Sequence, residues 1–152
     1  MTETASDTPH PALSIEDEQR ELIEEFGFFD DWADRYQYLI DLGRKLPEFP
    51  DEYRRDEFKL KGCQSQVWFA GEQVGDRLVF HAISDAAIVS GLIAVLLRIY
   101  SNRLPSEIQA TEPDFIAEVG LESHLSPTRK TGLSAMINSI KARAAMSLNP
   151  GA

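Results

Sequence analysis

The feature that most constrains this chain is an apolar run from Ala86 to about Asn102. Along it Ile88, Val89, Leu92, Ile93, Val95, Leu96, Leu97 and Ile99 leave almost no polar face. A helix that is apolar nearly all round has to be enclosed by other elements. The run cannot find that enclosure in a bilayer, because Ala86 to Leu97 is shorter than the ~20 residues a spanning helix needs and is interrupted by Ser90. The rest of the chain must therefore supply the cover. At 152 residues it is long enough to do so as one domain; a chain of that size buries roughly 68–70% of the surface its unfolded form exposes. A single cysteine excludes an intramolecular disulfide, a CxxC redox pair and any cysteine-only zinc or iron–sulfur site.

The covering elements can be read from caps and periodicity. Residues 1–13 are polar, carry Pro9 and Pro11, and are expected to form a disordered tail. Ser14 followed by Asp17 predicts an N-cap and a helix from Ile15 to about Glu25. Asp30 predicts a second cap and a helix to about Leu46, with Trp32, Tyr36, Leu39, Ile40 and Gly43 at helical spacing. Pro47 stops it, and Pro47 to Glu57 reads as an irregular connection. Three strands follow, Phe58–Lys61, Gln66–Ala70 and Arg77–Ile83, with a turn over Gly71–Gly75, which predicts an antiparallel meander. Ser84 or Asp85 then caps the central helix. Pro105 and Pro113-Asp114 each open a short helix, Glu122–Leu125 reads as a polar loop, and Ser126-Pro127 opens the last helix. There Leu133, Met136, Ile137, Ile140 and Ala144 form an apolar stripe. The expected fold is α+β: a two-layer single domain over residues 14–147, a three-stranded antiparallel sheet packed against helices, with 148–152 as a short tail.

Charge narrows the function. The formal net charge is −10, and phosphate binding needs clustered cations, so a nucleic-acid partner is not expected. The start of the chain has no basic segment followed by an apolar one, so the reading is cytoplasmic, without a membrane partner. The charge is uneven: residues 1–57 carry 17 acidic and 6 basic side chains, and residues 58–152 carry 8 and 9. From Ser123 onward there is no carboxylate side chain, only Arg129, Lys130, Lys141 and Arg143 as charged groups. Such a segment is either a solvated helix face or a basic docking edge.

Phosphate-binding glycine loops, metalloprotease motifs and nucleophile elbows are absent. His10, His81 and His124 are too scattered to announce a metal site. What stands out is Lys61-Gly62-Cys63-Gln64-Ser65-Gln66-Val67-Trp68. A thiol on a connecting loop differs from the usual buried, inert cysteine. Lys61 offers a nearby positive charge, Gly62 conformational freedom, and Gln64, Ser65 and Gln66 hydrogen bonds to a thiolate or to a sulfur carried on it. A thiol of pKa near 8.5 is only a few per cent ionised at pH 7; lowering it by about one unit raises the thiolate to roughly a quarter. On the residues alone a reactive Cys63 and an inert loop thiol both stand.

Gly62-Cys63-Gln64-Ser65-Gln66-Val67-Trp68 resembles the signature of the SufE/CsdE family, sulfur-acceptor partners of cysteine desulfurases. Ser84-Asp85-Ala86-Ala87-Ile88-Val89-Ser90-Gly91-Leu92-Ile93-Ala94-Val95 resembles the family's second block, with Ser90 where lysine is common. His124-Leu125-Ser126-Pro127-Thr128-Arg129 with Gly132-Leu133-Ser134-Ala135-Met136-Ile137 resembles the third. Trp32, Tyr36, Leu42-Gly43 and Leu46-Pro47 match the N-terminal helix, so the likeness runs from about Ile15 to Ala145. It implies a SufE/IscU-like fold and a role for Cys63 as persulfide acceptor. In that role Cys63 would stimulate a SufS- or CsdA-like desulfurase and pass sulfur to an iron–sulfur scaffold, without being a stand-alone catalyst. The family rests its cysteine in an apolar pocket, for which Val67, Trp68 and the helix after Asp85 are candidates. Asp85 and Arg129 match positions at or near the desulfurase-facing surface, and His124 joins Trp68 as a docking or pocket candidate. No metal and no bound cofactor are implied, since pyridoxal phosphate belongs to the desulfurase; monomer and homodimer both remain open. The competing reading is a cluster or zinc scaffold of related fold, for which Cys63, His81, His124 and Asp85 make a poor ligand set.

Overall fold

The computed structural model describes residues 13–60 and 66–148. Helix α1 (Ile15–Gly27) begins where the cap predicts: the Asp17 amide donates to Ser14 Oγ at 3.1 Å. Helix α2 (Trp32–Arg44) is capped by Asp31 rather than by Asp30, its Oδ1 accepting from the Asp34 amide at 2.9 Å. The wide connection that follows contains two single-turn 3-10 helices, Asp51–Tyr53 and Asp56–Phe58. Strands β1 (Val67–Val74) and β2 (Arg77–Ser84) form an antiparallel hairpin, and α3 (Ala87–Tyr100) returns across it. Short helices α4 (Pro105–Ala110), α5 (Phe115–Glu118) and α6 (Leu121–His124) lead to the long α7 (Pro127–Leu148). Of the tail expected over residues 1–13 only Leu13 is described, its carbonyl accepting from Arg103 Nη1 at 2.7 Å; residues 1–12 and 149–152 lie outside the described residues.

The apolar run does what its composition demands. In α3, Leu92, Ile93, Val95, Leu96, Ile99 and Tyr100 are buried, and Ile88, Val89 and Leu97 pack half-buried against the same core. The helix is enclosed by α1, α2, α7 and β2. Each large aliphatic side chain so covered contributes about 1.5–3 kcal/mol. The tightest crossing is with α2: a Cβ on Gly91 would lie 2.2 Å from the Leu39 carbonyl oxygen, and one on Gly43 would lie 2.7 Å from the Gly91 nitrogen. Two glycines, each facing the other helix's backbone, let these helices meet at a distance that any side chain would prevent.

The sheet differs from expectation in two places. Among the described residues it has two strands, not three. The expected first strand is reduced to a single bridge, Lys59 opposite Trp68, with the Leu60 amide donating to the Val67 carbonyl at 2.8 Å. Phe58 is drawn into a 3-10 turn because Tyr53 packs edge-on against it and stacks on His81, folding the connection over the sheet. Lys61, the last residue of that expected strand, lies outside the described residues. The turn expected over Gly71–Gly75 shrinks to Gly75-Asp76, since Gly71 pairs with Phe80 and Val74 with Arg77. Gly71 instead serves close approach, as its Cβ would sit 2.8 Å from Cγ of Arg143 on α7. Gly75, at φ +63, takes the left-handed angle a two-residue hairpin turn requires.

The start of α3 also corrects the prediction. Neither Ser84 nor Asp85 caps it: the N-cap position is Ala86, without a side-chain bond. Ser84 Oγ accepts from the Ala86 amide at 3.1 Å, and the Asp85 carboxylate is engaged elsewhere. The polar loop expected at Glu122–Leu125 is largely the short helix α6, opened by Gly120 at φ +80. Among the described residues no helix is long and apolar enough to cross a membrane.

Candidate functional site

Lys61, Gly62, Cys63, Gln64 and Ser65 lie outside the described residues; the two points from which that segment springs do not. On its N-terminal side Leu60 is tied to β1 through the Val67 carbonyl. On its C-terminal side the Gln66 amide donates to Asp85 Oδ1 at 3.2 Å, and the Asp85 amide returns a bond to the Gln66 carbonyl at 3.4 Å. Gln66 and Asp85 thus extend the hairpin ladder by one pair, with a carboxylate added. The described residues that flank the segment with the chain's one cysteine, Leu60 and Gln66, are thus both held beside the first residue of β1, and Gln66 also beside the start of α3.

Ser90 reinforces that place. Its hydroxyl donates to the Ser84 carbonyl at 3.2 Å, closing the turn between β2 and α3, and α2 packs against it at Gly43. A short side chain therefore suits the position where the resembled family commonly has lysine.

Trp68 is half-buried near the start of β1, on the side facing the wide connection. The Arg54 guanidinium lies 5.5 Å from its ring centroid and Lys59 Nζ lies 5.4 Å from it. Two cations lie against one indole, whose negative face attracts them, and Lys59 also pairs with Asp56 at 3.7 Å. Beside them, His81 Nε2 is 3.0 Å from Glu72 Oε1, and burial, with Glu72 and Glu52 nearby, raises the Tyr53 hydroxyl pKa. Arg54 and Tyr53 escape notice in the sequence because they lie in a stretch legible only as irregular, and Lys59 because it reads as part of a strand; the signal present was the mixture of aromatic and basic residues.

His124 belongs to a different cluster. Its ring stacks on Trp32 with centroids 3.9 Å apart, Nδ1 lies 3.0 Å from the Gly120 carbonyl, and its own carbonyl accepts from the Tyr36 hydroxyl. Arg35 covers Trp32 at 5.2 Å while donating to the carbonyls of Phe29 and Val119. These bonds staple α2 to α6. Arg129 is exposed in the first turn of α7, its amide bonded to Ser126 Oγ at 3.3 Å. The structure thus brings Gln66 and Asp85 together with Trp68 next along the strand, and places His124 and Arg129 around the α6–α7 junction.

The family model described as "SufE: Fe-S metabolism associated domain" matches residues 20–144. The chain belongs to the SufE family. An uncharacterized SufE-like protein of Rhizobium meliloti (strain 1021) is 44% identical over 129 residues, covering 82% of this chain and 92% of that one. A second, from Rhizobium etli, is 42% identical over 129 residues, covering 82% and 87%. The fold agrees with the solution structure of a hypothetical protein from Thermus thermophilus, at a TM-score of 0.72 and 20% identity over 86% of this chain and 96% of that one. Membership in the SufE family ties the chain to iron–sulfur metabolism, and the matched span includes Cys63, Asp85, His124 and Arg129.

Proposed function

We propose that this SufE-family chain is a sulfur acceptor that takes persulfide sulfur from a pyridoxal-phosphate-dependent cysteine desulfurase onto Cys63 and delivers it for iron–sulfur cluster assembly. The observation that carries the reading is that the SufE match spans the chain's one thiol. The chemistry needs neither metal nor bound cofactor on this chain, since the pyridoxal phosphate belongs to the desulfurase. The Cys63 thiolate attacks the outer sulfur of the desulfurase persulfide. A new sulfur–sulfur bond forms on Cys63 as the old one breaks, the desulfurase cysteine leaves as thiolate, and the proton given up by Cys63 returns to that thiolate through solvent. No electrons are gained or lost overall.

In the sequence Lys61 stands two residues before Cys63, and a nearby cation is what favours the ionised thiol that such an attack requires. The paired bonds between Gln66 and Asp85 hold in place the first described residue after that segment.

The test is to incubate the full chain with a cysteine desulfurase and free cysteine, then measure its intact mass without reductant. One added sulfur is expected, mapping to Cys63 and absent from Cys63→Ser, which keeps the wild-type melting temperature. Failure to gain sulfur from any of several desulfurases would overturn the reading. Tightly bound stoichiometric iron or zinc would favour the scaffold alternative.

A further inference from the structure

Strand β2 pairs with β1 along one edge, and other elements satisfy only part of its other edge. In an antiparallel pair successive residues turn their backbone groups alternately toward the partner and away from it. In β2 the outward set is Leu78, Phe80, Ala82 and Ser84. The Leu78 amide donates to the Arg103 carbonyl at 2.9 Å, and its carbonyl accepts from the Asn102 amide at 2.6 Å. The Phe80 amide donates to Ser101 Oγ at 2.9 Å, and the Ser84 carbonyl accepts from Ser90 Oγ. Between these the series breaks. The Phe80 carbonyl and both backbone groups of Ala82 have no hydrogen-bond partner among the described residues. Phe80 is 3% exposed and Ala82 5%, and buried backbone groups left unpaired are rare.

That edge faces a cleft. Its floor is α3, at Ala94 and Leu97, and its far wall is the end of α2 with Leu46 and Pro47. The cleft measures about 400 Å³ beside Val79 to His81 and continues as a pocket of about 20 Å³ beside Ala82. The backbone groups identify what fits there. A carbonyl on one residue and an amide two residues on are matched by the amide and carbonyl of a single residue in a strand laid alongside. An extended chain therefore satisfies both at once and continues along the edge. Charge restricts its side chains. Arg98 and His81 line the cleft but are already paired with glutamates. Lys45 and Glu48 on the far wall are exposed and have no ion pair among the described residues, so together they favour neither sign. An uncharged segment with small or aliphatic side chains suits this lining.

We propose that the outer edge of β2 receives an extended, uncharged segment of a partner protein as an added strand, bonded through the Phe80 carbonyl and the Ala82 amide. The proposal is independent of the sulfur-acceptor reading, and its test needs no desulfurase. In strand addition main-chain bonds supply the affinity and side chains the specificity, so a generic probe serves: the peptide acetyl-Ser-Val-Thr-Val-Ser-amide at millimolar concentration. Amide-resolved NMR of the full chain reads signal positions and hydrogen exchange. In the free chain the Ala82 amide is expected to exchange faster than the His81 amide, which faces β1. With the probe the Ala82 signal moves and its exchange slows at least about threefold, while the same peptide N-methylated at every amide does neither. A free chain whose Ala82 amide exchanges as slowly as that of His81 overturns the proposal, because the edge is then already paired. A probe that leaves the Ala82 signal and its exchange unchanged overturns it too, as does an N-methylated peptide that acts equally well.

Discussion

Asp85 illustrates how a residue's neighbours decide its task. Directly before an apolar helix an aspartate is the natural reading for an N-cap, yet its carboxylate turns to the Gln66 amide 19 positions away in sequence. There it secures the end of the segment that bears Cys63. Asp85→Ala removes that acceptor, and we expect a stability loss of about 0.5–1.5 kcal/mol with much faster hydrogen exchange at the Gln66 amide. Asp85→Asn, which keeps an acceptor oxygen, restores most of the protection. Unchanged exchange in the alanine variant would show that the carboxylate does not hold this stem. That Cys63 is the candidate for the chemistry was legible from its motif; that Asp85 bonds to Gln66 rather than capping the helix was not, because the pairing is long-range.

Among the elements, the contact between α2 and α3 sets the position of everything near the loop. Gly43 and Gly91 bring the two backbones together, and the Ser84–Ser90 bond attaches the start of α3 to the end of β2. Gly91→Ala must push the Leu39 carbonyl of α2 away from α3 and is expected to cost about 3 kcal/mol or more, in the upper range for overpacked cores. Thermal unfolding measures it; a loss below about 1 kcal/mol would mean that the helices separate easily. The helices themselves could be read from periodicity, caps and prolines, since those act within one or two turns. The first strand could not: alternation at Phe58–Lys61 was real, but Tyr53 recruits Phe58 to a different partner.

Across the whole molecule, the excess acid of the N-terminal third is neutralised in part by one side chain. Arg98 on α3 donates to Glu18 at 2.6 Å, to both oxygens of Glu25 at 2.6 and 2.8 Å and to Glu21 at 3.1 Å, tying α1 to the core helix. The Arg98 hydrogen bonds, opposed by burial and aided by Tyr38, hold the Glu25 pKa below its ordinary 4.5, while burial and then the Glu25 carboxylate push the Tyr38 hydroxyl up to about 12. A carboxylate depressed on folding lends stability that is complete above its unfolded pKa and lost as pH falls through the folded one. Arg98→Ala leaves three carboxylates facing one another and is expected to destabilise the chain by about 2–3 kcal/mol near neutral pH. The gap from wild type narrows as pH drops below about 4.5 and Glu25 protonates. Denaturant midpoints across pH provide the measurement, and a pH-independent gap would exclude this cluster as the cause.

The buried central helix, the amphipathic α7, the prolines that open and close helices and the cysteine-bearing motif all depend on residues close together in the chain. Short-range sterics and periodic burial act on them wherever the rest of the chain goes, so the primary structure was enough to locate them. The tertiary fold alone settled that Gly71 lies in a strand under Arg143, that Phe58 curls toward Tyr53, that Asp85 reaches Gln66, and that α5, α6 and α7 leave a pocket between them. Each of these depends on which distant surface arrives alongside, and that is fixed by packing the elements together.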